Sequence, residues 1–276
     1  MDYLEFNFTI TPVNPGNEIL TAMLADIGFE SFIETETGLL AYMPSAKFSV
    51  KEIENMEILK NSNFSIGYEY KIIKDKNWNE EWESNYSPVF IAGKCCVRAS
   101  FHPKTEGFKY DIIIEPKMSF GTAHHETTSL MIENIMTLNL KNKHVLDMGC
   151  GTAVLAILAA KMGALKITAI DIDEWAFHNS IENIGRNQVG FIKVLLGDAK
   201  MIDGKFDMIF SNINRNILIN DIPVYAKHLN KSGFLFLSGF YETDIPVITD
   251  KAKSCNMKFL GAAGNNNWAF LKFQTR

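Results

Sequence analysis

The stretch His144-Val-Leu-Asp-Met-Gly-Cys-Gly-Thr-Ala153, followed by Ile167-Thr-Ala-Ile-Asp-Ile-Asp173, decides the fold of this 276-residue chain. It reads as a buried strand, a glycine turn, a helix and a second strand that ends in acids. That order builds a nucleotide-like ligand site at the carboxyl ends of parallel strands. Gly149 and Gly151 stand where the first strand turns into its helix. Glycine there adopts positive φ and keeps a side chain out of the ligand's way. Asp171 ends the second strand, at the usual reach for a ribose diol, where a carboxylate gains two charge-assisted hydrogen bonds. Asp173 suits capping of the next helix better.

The turn is Gly-x-Gly-x-Ala, with Val154 at the position where a dinucleotide fingerprint needs its third glycine beside a pyrophosphate. This opposes a nicotinamide oxidoreductase. It favours S-adenosyl-L-methionine, which has no pyrophosphate, and so a methyl transfer. Asp147 stabilises the glycine turn or faces the methionine amine. Asp198, in Leu196-Gly-Asp-Ala199 after the third strand, is placed to accept from the adenine amino group, unless it is an exposed turn acid. Asn212, in Phe210-Ser-Asn-Ile-Asn-Arg215, ends the fourth strand. An amide there can donate to the cofactor and accept from an incoming nucleophile, the plainer alternative being a strand-end turn residue. Arg215 binds an acidic group or faces solvent.

Thr127 and Thr128 sit at a helix start, where hydroxyls and free backbone N–H groups hold a carboxylate. Plain capping is compatible with that role. His124 and His125 have no third ligand at a recognisable spacing, so a loop role and no metal are expected. Phe120, Tyr241 and Trp268 are candidates for aromatic walls of a cleft, against a plain core role.

Outward from the site, the amino-terminal part alternates strand and helix patterns. Strands are expected at Tyr3 to Ile10, Phe29 to Glu34, Gly38 to Met43 and Phe64 to Ile73. Helices are expected at Asn17 to Ile27, stopped by Gly28, and at Ala46 to Lys60. The order βαββαβ suggests a ferredoxin-like split unit. Residues 75–90 carry Trp78 and Trp82 on one face of an expected linker helix. Beyond it the α/β repeat sets in, closing with a hairpin around Gly264-Asn-Asn-Asn267. The expected organisation is an α/β, Rossmann-like class I methyltransferase domain over 91–276, a linker helix over 75–90 and a small α+β ferredoxin-like domain over 1–74.

Composition bounds the rest. Hydrophobic residues make up 47% and the formal charge is −5. That charge argues against a dedicated nucleic-acid binder, which shows a basic face. Cys95, Cys96, Cys150 and Cys255 form no CxxC pair, so a reduced, cytoplasmic chain is expected. The start Met1-Asp-Tyr-Leu-Glu-Phe lacks the features of a signal peptide, and no apolar run is long enough for a bilayer. A monomer without membrane attachment is expected.

Together these residues resemble the family of ribosomal protein L-eleven methyltransferases. The resemblance covers nearly the whole chain. Its specific element is the turn Phe120-Gly-Thr-Ala-His-His-Glu-Thr-Thr128, since the glycine turn is common to a whole superfamily. It implies that Thr128, Gly149, Asp171 and Asn212 contact the cofactor. It also implies that the amino-terminal domain grips ribosomal protein eleven of the large subunit, and that the catalytic domain methylates lysine amines and the α-amine. The family commonly reads Gly-Thr-Gly-Thr-His-Pro-Thr-Thr, where this chain has Ala123, His124 and Glu126. The family's Ala-Asn-Ile-Leu is here Ser211-Asn-Ile-Asn214. Closing Thr-Thr and Asn-Ile survive, so the cofactor side is the closer match. The expected site is therefore Thr128, Gly149, Gly151, Asp171, Asp198 and Asn212, with Asn212 also at the reacting groups. The rivals are an RNA or metabolite methyltransferase and a non-catalytic ribosome-assembly factor.

Overall fold

The computed structural model describes residues 2–74, 86–117 and 119–276. The chain divides into two compact units, residues 1–85 and 86–276. The expected linker helix with Trp78 and Trp82 falls largely outside the described residues. Its described end is not helical: residues 86–88 are irregular, and Val89 and Phe90 pair with Val97 and Cys96 in a strand.

The first unit contains β1 (Tyr3–Thr11), α1 (Val13–Asp26), β2 (Ser31–Thr35), β3 (Gly38–Pro44), α2 (Val50–Glu54) and β4 (Ser65–Ile73). Leu4, Phe6, Phe8 and Ile10 alternate along β1 and are all buried, as the two-residue period of a strand requires. Leu20 and Leu24 of α1 join the same core. The sheet order is β2-β3-β1-β4 with every neighbouring pair antiparallel. Two βαβ crossovers thus interleave, the arrangement of a split βαβ unit. The expected single helix over 46–60 is broken into three short pieces. Ile53, Met56 and Ile58 are all buried. Met56 and Ile58 would lie about 200° apart on a continuous helix, so only a break turns both inward.

In the second unit, β5 (Val89–Ile91), β6 (Cys95–Arg98) and β7 (Tyr110–Ile113) form a small sheet. Next come α3 (Glu126–Ile135), β8 (His144–Met148), α4 (Val154–Lys161), β9 (Lys166–Asp171), α5 (Glu174–Arg186) and β10 (Lys193–Leu196). The chain finishes with β11 (Phe206–Asn212), α6 (Arg215–His228), β12 (Leu229–Tyr241), α7 (Ile245–Ser254), β13 (Met257–Asn265) and β14 (Trp268–Thr275). The large sheet has the order β10-β9-β8-β11-β12-β14-β13. Its first five strands are parallel and the closing hairpin is antiparallel. Two apolar cores flank it, one around α3 and α4 and the other around α6 and α7.

Asn266 and Asn267 both take positive φ, +48° and +66°, so the hairpin turns in the mirror-image geometry that suits strand twist. α6 runs on through Pro223. β12 extends beyond the expected Gly233 to Leu237, with a bulge between Ser238 and Phe240. Helix α7 was not anticipated, although Pro246 in its first turn and buried Ile248 and Ala252 are its signature. The strand order reverses at β8. In a parallel sheet this leaves a crevice at the carboxyl ends of the strands.

Candidate functional site

That crevice is a cavity of about 610 Å³, within the range that holds a cofactor-sized ligand. Gly149, Gly151, Asp171, Asp198 and Asn212 line it. Thr128 does not; it is buried directly behind Asn212.

The glycine turn is shaped by the chain around it. Gly149 and Gly151 have φ of +70° and +54°. A Cβ on Gly149 would run into the Ile213 side chain, and one on Gly151 into the backbone carbonyl of Phe120. Bare backbone is thus needed first for close packing against the Phe120 turn and the end of β11. Only then does it open onto the cavity. The Phe120 carbonyl also accepts from the Thr152 N–H at 2.9 Å, locking the two turns together. Ala153 shares the left-handed conformation, with φ +63°.

Asp171 accepts from the Gly151 N–H at 2.7 Å and from the Asp173 N–H at 3.0 Å. A carboxylate offers about four lone-pair positions, so capacity for two further donors remains. Asp173 caps α5 by accepting from the Ala176 N–H at 2.8 Å. Asp147 is buried, does not line the cavity, and accepts from the Ala156 N–H at 3.0 Å. It holds α4 beneath the turn. Burial, with the Asp171 charge nearby, pushes its carboxyl up to about 7.

Asp198 accepts from the Lys200 N–H at 2.9 Å. That bond, with the Lys200 charge, holds its carboxyl below the usual range. Across the cavity, Asn212 donates from Nδ2 to the Thr128 hydroxyl at 3.2 Å. Its Oδ1 is buried without a protein partner among the described residues. An amide oxygen left so costs stability unless a ligand donates to it.

A second, smaller cavity of about 260 Å³ shares Phe120, Asn212, Ile213 and Asn214 with the first. Its remaining wall is His125, Thr127, Gly239 and Trp268. The aromatic residues singled out from the sequence do converge here. Tyr241 stacks on Trp268 with ring centres 4.2 Å apart, His125 meets Trp268 edge-on at 4.6 Å, and Phe120 lies 5.2 Å from His125. Asn266 at the hairpin tip donates to Glu126 at 3.0 Å and so ties β14 to the start of α3. His125 Nδ1 accepts from the Thr127 N–H at 3.3 Å as the cap of α3. The same nitrogen lies 2.9 Å from the Thr127 hydroxyl. His124 contacts the Thr122 hydroxyl and the Ser87 carbonyl. Among the described residues no group of His, Cys, Asp or Glu has the geometry of a metal site. Arg215 pairs with Asp244 at 2.9 Å.

Sequence reasoning overlooked much of the apolar lining. Ile172 and Trp175 are 74% and 76% exposed at the mouth of the large cavity. Asn214, Ile217 and Asp221 also line it. Their spacing, i, i+3 and i+7, places them on one face of α6 and was legible before the structure.

Residues 21–276 match the family model for ribosomal protein L11 methyltransferase (PrmA). The chain belongs to this family. The ribosomal protein L11 methyltransferase of Phocaeicola vulgatus is 46% identical over 282 residues, covering 99% of each chain. That of Porphyromonas gingivalis is 43% identical, covering 99% of this chain and 98% of the relative. The crystal structure of ribosomal protein L11 methylase from Lactobacillus delbrueckii subsp. bulgaricus superposes with a TM-score of 0.64 at 26% identity, over 69% of this chain and 99% of that one. A methyltransferase from Pyrococcus furiosus shares the fold, with a TM-score of 0.52 at 21% identity over 59% of this chain and 88% of its own. The family resemblance carried by the Phe120–Thr128 turn is thereby borne out, as is the class I methyltransferase fold. The family is one of S-adenosylmethionine-dependent methyltransferases, and the oxidoreductase reading falls away.

Proposed function

We propose that this chain transfers methyl groups from S-adenosyl-L-methionine to amino groups of ribosomal protein L11, on lysine side chains and the N-terminal α-amine. One observation carries the reading: Asn212 stands in the wall shared by the two cavities, with its Oδ1 unpartnered among the described residues. The large cavity takes the cofactor and the small one the acceptor amine.

The chain's own groups fit these ligands. Asp171 has lone pairs left for the ribose hydroxyls, and Asp198 stands ready for the adenine amine. Gly149 and Gly151 present backbone to the methionine end. Thr128 acts through Asn212, fixing the amide by accepting from its Nδ2. The bound cofactor supplies a methyl group already activated by its sulfonium. What remains for the protein is alignment and a neutral amine. An exposed lysine, with pKa about 10.4, is neutral in only about a thousandth of molecules near pH 7, whereas an α-amine near 8 is far easier. Among the described residues the small cavity is lined by Phe120, Trp268 and Ile213, with His125, Thr127, Asn212, Asn214 and Gly239, and by no carboxylate. Such walls disfavour the ammonium form. Asn212 Oδ1 accepts from the amine's N–H and aims its lone pair, and it takes no proton.

Residues 1–74 are assigned to recognition of the ribosomal protein, 75–90 to the linker and 91–276 to methyl transfer. Edge strand β4 supports the first assignment, since Tyr70 and Ile72 are 50% and 61% exposed. Among the described residues no helix is long and apolar enough to cross a membrane. The net charge of −5 supports a lack of nucleic-acid contacts of its own, and the free cysteines support a cytoplasmic setting; a monomer is proposed alongside them.

The test is mass spectrometry of purified ribosomal protein L11, ribosomal RNA and a metabolite extract, each incubated with the chain and isotope-labelled cofactor. Labelled methyl groups on the amines of the ribosomal protein are expected. Label only on RNA or on a metabolite, or no transfer at all, would replace this reading by one of its rivals.

A further inference from the structure

Four aspartates line the large cavity, Asp171, Asp173, Asp198 and Asp221, and the proposed function gives Asp221 no role. Asp221 lies in the middle of α6, one turn beyond Ile217, and both line the cavity. Its position is fixed from behind. The Tyr225 hydroxyl donates to Asp221 Oδ2 at 3.2 Å. Tyr225 is itself fully buried, 3.4 Å from the Ser211 hydroxyl on β11. Asp221 is thus tied through one side chain to the strand that ends in Asn212. The loop that carries Asp198 packs against the same helix, with Ala199 and Ile202 in one apolar core with Leu218 and Ile222. Burial raises the Asp221 carboxyl above the usual range, the Tyr225 hydrogen bond opposes this, and the nearby Asp198 charge adds to it.

We propose that Asp221 is a specificity-determining residue that, opposite Asp198, reads the exocyclic amine of the cofactor's adenine. This inference rests on the assignment of the large cavity to S-adenosylmethionine. A 6-amino purine presents two N–H donors that diverge within the plane of the ring, and each needs an acceptor once removed from water. Asp198 takes one and Asp221 the other. A 6-oxo purine would instead turn its own oxygen toward two carboxylates, an arrangement that leaves acceptor against acceptor. Discrimination between the two bases then comes from unpaired polar atoms in the wrong complex, which is how buried polar sites reject near-isosteres. Tyr225 is the positioning residue that keeps the Asp221 carboxylate turned toward the ligand.

The experiment is calorimetric titration of the full chain with S-adenosylhomocysteine and with S-inosylhomocysteine, which differ only at the 6 position and the adjoining ring proton. The unaltered chain should prefer the adenosyl ligand. Asp221→Ala should narrow that preference by about tenfold, the loss of one charge-assisted hydrogen bond. Asp221→Asn, of equal size, should narrow it further, because its amide can donate to the 6-oxo group and strengthen inosyl binding. Tyr225→Phe should narrow it less. A preference unchanged in Asp221→Asn, with both ligands weakened equally or not at all, would overturn the inference, because a merely structural role affects both ligands alike. If the unaltered chain binds neither ligand, the assignment of the cavity falls and the inference with it. Binding by the unaltered chain with an unchanged preference in the variants overturns this inference alone.

Discussion

Thr128 and Asn212, 84 residues apart in sequence, are joined by a hydrogen bond of 3.2 Å in which the Asn212 amide nitrogen donates to the Thr128 hydroxyl. The bond decides which way the amide faces. With Nδ2 committed to Thr128, Oδ1 is the atom left to meet ligands, and it is buried without a partner among the described residues. Thr128→Val keeps the shape and removes the acceptor. The amide is then free to flip, and turnover at saturating cofactor should fall by about 100-fold, the usual cost of a misplaced reacting group. Asn212→Ala should do at least as much. Steady-state assays on the ribosomal protein measure both, and a Thr128→Val enzyme with full turnover would show that the bond does no positioning.

Asp171 serves two masters, backbone N–H groups of the turn and the expected ribose. Asp171→Asn retains one oxygen and loses the charge. Calorimetry with S-adenosylhomocysteine should show affinity lower by about 10- to 100-fold. Unchanged affinity would remove Asp171 from the ligand site and leave it as a brace for Gly151.

Gly151→Ala places a methyl group against the Phe120 carbonyl in a left-handed backbone conformation. The conformation alone costs about 1–2 kcal/mol. The clash must in addition push the Phe120 turn outward, away from both cavities. A lower melting temperature and weaker ligand binding are expected together. Scanning calorimetry and titration on the same preparation check the pair.

Asp147 predicts an unusual pH dependence. Its carboxyl is raised to about 7 in the folded chain, chiefly by burial, whereas an unfolded aspartate titrates near 4. Between those values the folded state holds a proton that the unfolded state has released. Stability from this group therefore falls as pH rises from about 4 to 7, with a slope of up to about 1.4 kcal/mol per pH unit, and levels off above. Asp147→Asn keeps an acceptor for the Ala156 N–H and removes the titration. The stability difference between variant and unaltered chain, from denaturant midpoints at several pH values, should shift in the variant's favour as pH rises through that window. A constant difference would mean that Asp147 is ionised throughout.

Removal of residues 1–74 tests the division of labour. The second unit has its own two apolar cores, so the remaining chain should bind S-adenosylhomocysteine with unaltered affinity. Methylation of the ribosomal protein should be lost. Retained turnover on that protein would take the recognition role away from the first unit.

Much of this could be read along the chain. The alternation in β1 and the run His144 to Met148 announced strands, and Asp173 announced its helix, because those signals act between neighbours in sequence. The helix expected over 46–60 failed for the converse reason. Its residues are good helix formers, yet Ile53, Met56 and Ile58 must all face one core, and that demand comes from the sheet they cover. Helix α7 went unread although Pro246 marks its first turn.

The sequence alone determined the run of strands and helices from β8 to β11, the glycine turn and the acid after β9, since backbone preference and periodic burial are properties of short segments. Folding decided the rest. It set the Phe120 carbonyl over Gly151, Asn212 against Thr128, and Asp221 beneath the Tyr225 hydroxyl. Whether a buried polar atom keeps a free lone pair depends on every group packed around it, and those groups come from distant parts of the chain. That is why Asn212, Thr128 and the acid after β9 could be singled out from a few motifs, while the direction in which the Asn212 amide faces and the place of Asp221 became visible only once the chain had closed around the cavity.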